Sequence, residues 1–280
     1  MRGLPTEKRK ESMKAGLFAV SLAAAAMAAG AAETNELEKA ESGGGFSAEV
    51  SVDFMSDYIW RGVMCNGNPV WQPSLTLAYD AGDIGKVAFN AWGSFDLTHK
   101  RGTSGTSRHL CGAQEIDYTL SYANSVGPVG LEVGHIWYTF HNNDAHSTQE
   151  LYGSLSYENP IVTPSATVFW DYTDSGGIDA SAVYCSFALS HDFKPIDALT
   201  VTPKAELGLA DHAYTNSKGG TELTDQTVGV AVKYAFTKWL SVGAEINYTW
   251  TPSHTLRHEG YMGDGRHQIV WGGVNLTIAF

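Results

Sequence analysis

Beyond its first 32 residues the chain has no apolar run near the roughly 20 residues that a membrane-spanning helix requires. That excludes helical spans from the remainder and leaves strands as its only way to cross a bilayer. Positive charge is scarce: 18 Lys and Arg stand against 30 Asp and Glu, a formal net charge of −12. The imbalance excludes nucleic acid and other polyanions as partners, whereas cations are drawn to such a chain. Cysteine is scarce too, with three in 280 residues, so one bridge and one odd thiol are the most that oxidation can make. There is no G-x-S-x-G nucleophile elbow and no compact metal-ligand spacing, so no cofactor is implied.

What the chain does have begins with a leader. Lys8, Arg9, Lys10 and Lys14 precede an apolar stretch from Ala15 to Met27 and then small residues through Ala32. That order is the layout of a secretory signal peptide, residues 1–32, cleaved after Ala31 or Ala32. Met1 and Met13 both serve as starts for it. The leader carries five Lys or Arg against two Asp or Glu, so its removal takes the net charge from −12 to −15. Residues 33–45 are polar and end in glycine, a flexible periplasmic tail.

From 46 to 280 the pattern has period two. Twelve such segments are bounded by turn residues: roughly 46–63, 69–80, 86–98, 114–124, 128–142, 147–158, 163–174, 177–192, 197–214, 224–236, 239–253 and 267–280. Their connections alternate. Compact turns at 81–85, 124–127, 158–162, 192–196 and 237–238 interleave with longer loops, notably 99–113, 212–223 and 252–266. Short turns on one side and long loops on the other are the arrangement of an all-β, transmembrane antiparallel up-and-down barrel of about 12 strands. Aromatics add two girdles at the expected heights. Tyr58, Trp60, Trp71, Trp170, Tyr172, Tyr248 and Trp250 fall near the outer rim, and Tyr79, Tyr122, Tyr157, Tyr234, Phe236 and Phe280 near the inner one.

Faces are clearest between Leu240 and Trp250, where Leu240, Val242, Ala244, Ile246, Tyr248 and Trp250 alternate with Ser241, Gly243, Glu245, Asn247 and Thr249. Extending that parity turns Glu49, Asp53, Asp57, Arg61, Asp96, Glu115 and Asp117 inward as pore-lining residues. Glu132, Glu150, Asp171, Lys204, Glu206, Lys233 and Glu245 complete the inward set. Alternation breaks at Gly134-His135, which predicts a β-bulge. Eleven inward carboxylates against three cations need water beside them, so the expected function is an outer-membrane channel for passive diffusion of small neutral or cationic solutes. A non-conducting surface barrel whose loops bind a partner or metal is the second reading, and a barrel hydrolase the third. Arg61 is either a positive constriction residue or half of an ion pair fixing the first loop. Cys65 and Cys111 fall in the first two outer loops and form a possible disulfide.

The run Ser56-Asp57-Tyr58-Ile59-Trp60-Arg61-Gly62, followed by Asn68-Pro69, Gln72 and Trp92-Gly93-Ser94, resembles the first hairpins of the TorF-type porin family. The resemblance covers the first third of the mature chain and implies an outer-membrane barrel, with no established substrate or catalytic residue. Asp96 stands one position early relative to that family's pattern. Phe280, closing the strand His267 to Phe280, resembles the C-terminal assembly signal that outer-membrane barrels present to their assembly machinery. The expected partners are therefore membrane lipid, the barrel assembly machinery and small solutes. The expected state is a monomer, multi-pass in the outer membrane after secretion to the periplasm.

Overall fold

The computed structural model describes residues 45–98, 113–141, 146–173, 181–215, 220–254, 256 and 266–280. The leader 1–32, nearly all of the tail 33–45, and Cys111 lie outside the described residues. Fifteen strands are present among the described residues: β1(Gly45–Met55), β2(Tyr58–Trp60), β3(Val63–Asn66), β4(Val70–Asp80), β5(Lys86–Asp96), β6(Ala113–Val126), β7(Val129–Phe140), β8(Thr148–Tyr157), β9(Thr163–Asp171), β10(Ala182–Ser190), β11(Phe193–Ile196), β12(Leu199–Ala210), β13(Glu222–Ala235), β14(Leu240–Trp250) and β15(Gln268–Ala279). Twelve of them form one antiparallel sheet that closes on itself. β1 pairs with β15 through Val50↔Ile278, and β10 pairs with β12 through Phe187↔Leu207. Closure leaves no unpaired strand edge, which is the condition for a sheet to stand in lipid.

The side chains explain which way the wall faces. Along β14, Ser241, Gly243, Asn247 and Thr249 are buried while Val242, Ala244, Ile246, Tyr248 and Trp250 are exposed. A soluble core would invert that arrangement, burying Ile and exposing Ser. The same outward apolar set continues with Phe54, Leu77, Phe89, Leu120, Val133, Leu155, Val168, Phe187, Leu207, Val228 and Leu276. An apolar belt around a closed barrel is the surface that hydrocarbon solvates. Trp137, Trp170, Tyr248 and Trp250 project at its outer rim, and Tyr79, Tyr122, Tyr157, Tyr234, Phe236 and Phe280 at its inner rim. The last strand is pinned at its end, because Ala48 N–H donates to the Phe280 carbonyl (3.1 Å) and Phe280 N–H to the Ala48 carbonyl (2.8 Å).

Two local expectations are corrected. Register through β7 is continuous against both neighbours, with no bulge at Gly134-His135. The break in pattern is a polar residue on the lipid side: His135 Nε2 meets the Tyr172 hydroxyl (2.8 Å) and Gln149 Oε1 (3.1 Å) near the outer rim, so His135 keeps partners without shifting the strand. Gly134 opposite leaves room for the Tyr152 ring, which crosses where a Cβ would stand. Bulges occur instead between Ser94 and Phe95 against β6, and between Gly208 and Leu209 against β13.

The larger correction concerns 46–63. The wall strand stops at Met55, and β2 and β3 form a separate hairpin. Tyr58 and Trp60 consequently leave the outer girdle. Trp60 is 3% exposed, where the true girdle residue Trp170 is 43% exposed. The physical reason is visible in the residues. Ile59, Trp60, Val63 and Met64 put apolar groups on both faces of the ribbon, so it cannot offer water one side and lipid the other. Both faces are satisfied only inside the barrel.

Candidate functional site: the barrel lumen and its inserted hairpin

The hairpin turns on two residues, Arg61 at φ 43 and Gly62 at φ 76, between Trp60 and Val63, which pair. Positive φ at both central positions is the type I′ geometry that matches the twist of a two-residue hairpin. Glycine supplies it freely, and at Gly62 it is also required by space. A Cβ there would stand 2.8 Å from the Asp225 Cβ and 3.0 Å from Thr251 Oγ1. Arginine in the left-handed region costs on the order of 1–3 kcal/mol and persists only where the surroundings hold it.

The surroundings do so from several strands. Arg61 Nη1 and Nη2 donate to the two Glu150 carboxylate oxygens of β8 at 2.8 and 2.9 Å, a bidentate pair buried on both sides. The Tyr138 hydroxyl of β7 donates to Glu150 Oε2 at 2.8 Å. The guanidinium lies over four rings: Phe169 of β9 at 4.1 Å, Trp60 and Tyr184 of β10 at 4.4 Å each, and Tyr214 at 6.0 Å. Tyr214 belongs to the short helix α1(His212–Thr215) in an outer loop. Desolvated cation–π contacts contribute roughly 2 kcal/mol or more, and a buried pair robbed of one member costs about 3–5 kcal/mol. These exceed the backbone strain, so the turn stays where it is.

Other contacts fasten the ribbon along its length. Thr251 Oγ1 donates to the Gly62 carbonyl at 3.0 Å, and the Tyr58 hydroxyl donates to Glu115 Oε2 at 2.9 Å. Asn66 Nδ2 donates to Asp96 Oδ2 at 3.0 Å, while Asn68 N–H donates to Asn66 Oδ1 at 2.9 Å. The last contact is the turn chemistry expected of Asn66-Gly67-Asn68-Pro69. Apolar packing surrounds these bonds: Ile59, Val63, Met64 and Cys65 join Trp92, Ile136, Tyr152 and Trp271 of the wall and Leu256 in one buried cluster. Each such side chain contributes roughly 1.5–3 kcal/mol when withdrawn from water.

The inward residues divide by height. Arg61, Asp96, Glu115, Asp117, Glu150 and Asp171 are buried, and all lie in the outer half around the hairpin. Glu49, Asp53, Glu132, Lys204, Glu206, Lys233 and Glu245 are only partly buried and lie toward the middle and the periplasmic half. There Lys204 Nζ meets Glu245 Oε2 at 2.6 Å, and Ser186 Oγ donates to Glu206 Oε1 at 2.5 Å. Asp57 sits outside any strand, at the bend from β1 into the hairpin, partly exposed. Arg61 does not stand on the wall with it: its carboxylate partner is Glu150, reached across the lumen from the first loop.

Sequence reasoning passed over Asp225, which is buried and accepts from the Tyr184 hydroxyl at 3.2 Å and Thr224 Oγ1 at 2.7 Å. It shares parity with Lys233, so period two contained it. It also passed over the inward aromatics Tyr138, Phe169 and Tyr184, two of which share parity with Glu132 and Asp171. Cys65 is buried in the hairpin and Cys185 faces outward on β10, level with Val168 and Leu209. Cys111, His99, His109 and His258 lie outside the described residues. Among the described residues, no group of three or more His, Cys, Asp or Glu is arranged to hold a metal ion. Asp171 accepts from Thr148 Oγ1 at 2.5 Å and from Thr173 Oγ1 at 2.9 Å, while His141 meets Thr139, so these two are not brought together.

A closed twelve-stranded barrel with an apolar belt, two aromatic girdles and a polar interior defines an outer-membrane β-barrel of porin-like build. The chain belongs to the bacterial family Gcw_chp, described as proteins of unknown function, whose model matches residues 38–262. Curated protein sequences yield no match. Among solved structures the chain is similar to the KdgM porin in complex with disordered oligogalacturonate, at 9% identity over 84% of this chain and 99% of that one, TM-score 0.49. It is also similar to a loop L8 deletion mutant of OmpT, an outer membrane protein of Vibrio cholerae (10% identity, 86% and 100% covered, TM-score 0.42). A third is outer membrane phospholipase A from Escherichia coli (10%, 83% and 92%, TM-score 0.45). At such identities the likeness is one of fold alone.

Proposed function

We propose that the protein is an outer-membrane channel for passive diffusion of small neutral or cationic solutes, narrowed in its outer half by the β2–β3 hairpin. The observation that carries this reading is the half-exposed acidic interior of the periplasmic side. Glu49, Asp53, Glu132, Glu206 and Glu245 keep access to water against only Lys204 and Lys233. A barrel that needed its interior only for packing would fill that space with apolar or mutually satisfied groups, as its outer half does. Carboxylates held beside water in a narrow low-dielectric tube raise the local concentration of cations and repel anions. Neutral solutes pass by size. The resemblance of Ser56 to Gly62 to the TorF-type family supports the same reading.

Planar-bilayer conductance of the refolded barrel under a salt gradient tests it. The expected result is small, cation-preferring channels; anion preference overturns the reading. The packed outer half favours a second reading, a non-conducting surface barrel whose outer loops bind a partner, and complete absence of conductance in wild type and in hairpin variants supports that one. Phe280 is proposed as the assembly signal. Its deletion is expected to lower insertion yield while leaving the conductance of inserted molecules unchanged.

A further inference from the structure

We infer that the box around Arg61 is a binding site for small guanidinium-bearing cations, with Arg61 as its tethered occupant, and that free ligands of this class compete with it and release the hairpin. The box is built by the wall rather than by the hairpin. Glu150 comes from β8, Phe169 from β9 and Tyr184 from β10, with Tyr138 of β7 holding the carboxylate at 2.8 Å. Tyr184 is itself held by Asp225. Only the guanidinium and the Trp60 ring arrive from the first loop. A planar cation between ring faces, with both carboxylate oxygens forked onto its N–H groups, is what this chemistry recognises. Lysine or a metal ion offers neither the plane nor the fork.

The backbone points the same way. Arg61 is one of two non-glycine residues at positive φ among the described residues, the other being Ser181. A type I′ turn prefers Asn, Asp or Gly at that place. The position therefore carries a side chain chosen for where it reaches, against the preference of the turn. Strain retained at a buried charged site identifies a working part of the molecule. Because the strain is relieved when Arg61 leaves the box, the hairpin is easier to displace than its packed surroundings imply.

Competition sets the numbers. A short tether holds an effective ligand concentration of order millimolar or more, so free ligand must exceed that level in wild type and need not in a variant lacking the arginine. The inference rests on the channel reading only for its electrical readout. The test uses methylguanidinium chloride against sodium chloride at equal ionic strength, on the full refolded barrel. In Arg61→Ala the hairpin tip no longer fills the box. Methylguanidinium is expected to raise the melting temperature and to lower the enlarged conductance, and adding Phe169→Leu is expected to weaken both effects several-fold. In wild type the same salt is expected to increase conductance and change Trp60 fluorescence at roughly tenfold or more higher concentration. If methylguanidinium and sodium act alike on Arg61→Ala, the site is overturned. Should that variant fail to insert, wild type decides by the same criterion. A rise in melting temperature with no conductance under any condition keeps the site and removes the channel.

Discussion

The outer and inner halves of this lumen are made by the same twelve strands and face the same axis, yet they solve opposite problems. In the outer half, six charged side chains of the inward set are buried, and the space between them is filled by Ile59, Trp60, Val63 and Met64. In the inner half the charges are comparable in number, but they stay half-exposed, with one ion pair, Lys204–Glu245, in partial contact with water. Placement of the first loop makes the difference. Where the ribbon enters, carboxylates must be matched by donors such as Tyr58, Asn66 and Arg61; where it does not reach, water serves.

That contrast can be broken most forcefully at its centre. Replacing Arg61 by Ala leaves Glu150 buried with Tyr138 as its remaining donor, and is expected to cost about 3–5 kcal/mol by denaturant melting in detergent. It is also expected to enlarge conductance severalfold, making the outer half behave like the inner; unchanged melting and unchanged conductance together would refute the latch. Gly62→Ala comes next. Its Cβ meets Asp225 and Thr251 at a backbone angle that alanine resists, for roughly 1–3 kcal/mol, with conductance noise as a second readout of a loosened tip.

Thr251→Val removes one hydrogen bond to the Gly62 carbonyl and is expected to cost about 1 kcal/mol, measured by the same melt. The smallest effect on stability belongs to the other half. Glu245→Gln unpairs Lys204 at a half-exposed position and is expected to cost under about 1 kcal/mol. Combined with Asp53→Asn, it is expected to move the reversal potential toward zero under a salt gradient, an effect on selectivity that hairpin variants do not produce. A large stability loss from Glu245→Gln would erase the distinction between the halves.

Much of the wall was legible in the residues. The alternation from Leu240 to Trp250 fixed the faces of β14 position by position, and turns at 81–85 and 124–127 placed the periplasmic ends, because a half-solvated strand writes its environment into every second side chain. The hairpin was not legible by the same rule. Counting Asp57 and Arg61 on one wall strand assumed that period two continues past Met55, when the doubled apolar run from Ile59 to Met64 signals two buried faces. Gly134-His135 misled in the reverse direction, since a polar outward residue with its own partners mimics a slipped register.

By itself, the sequence determined a twelve-stranded barrel, its inside and outside, its two girdles and its acidic interior, since each is a local statement about which neighbour, lipid or water, a side chain meets. Only the tertiary structure decided that Tyr58 to Asn66 turns inward, that Arg61 reaches Glu150, 89 residues away in sequence, and that Phe169, Tyr184 and Tyr214 converge on its guanidinium. Those contacts join strands far apart in the chain, and no local pattern records them because the closure of the barrel creates the space in which they meet.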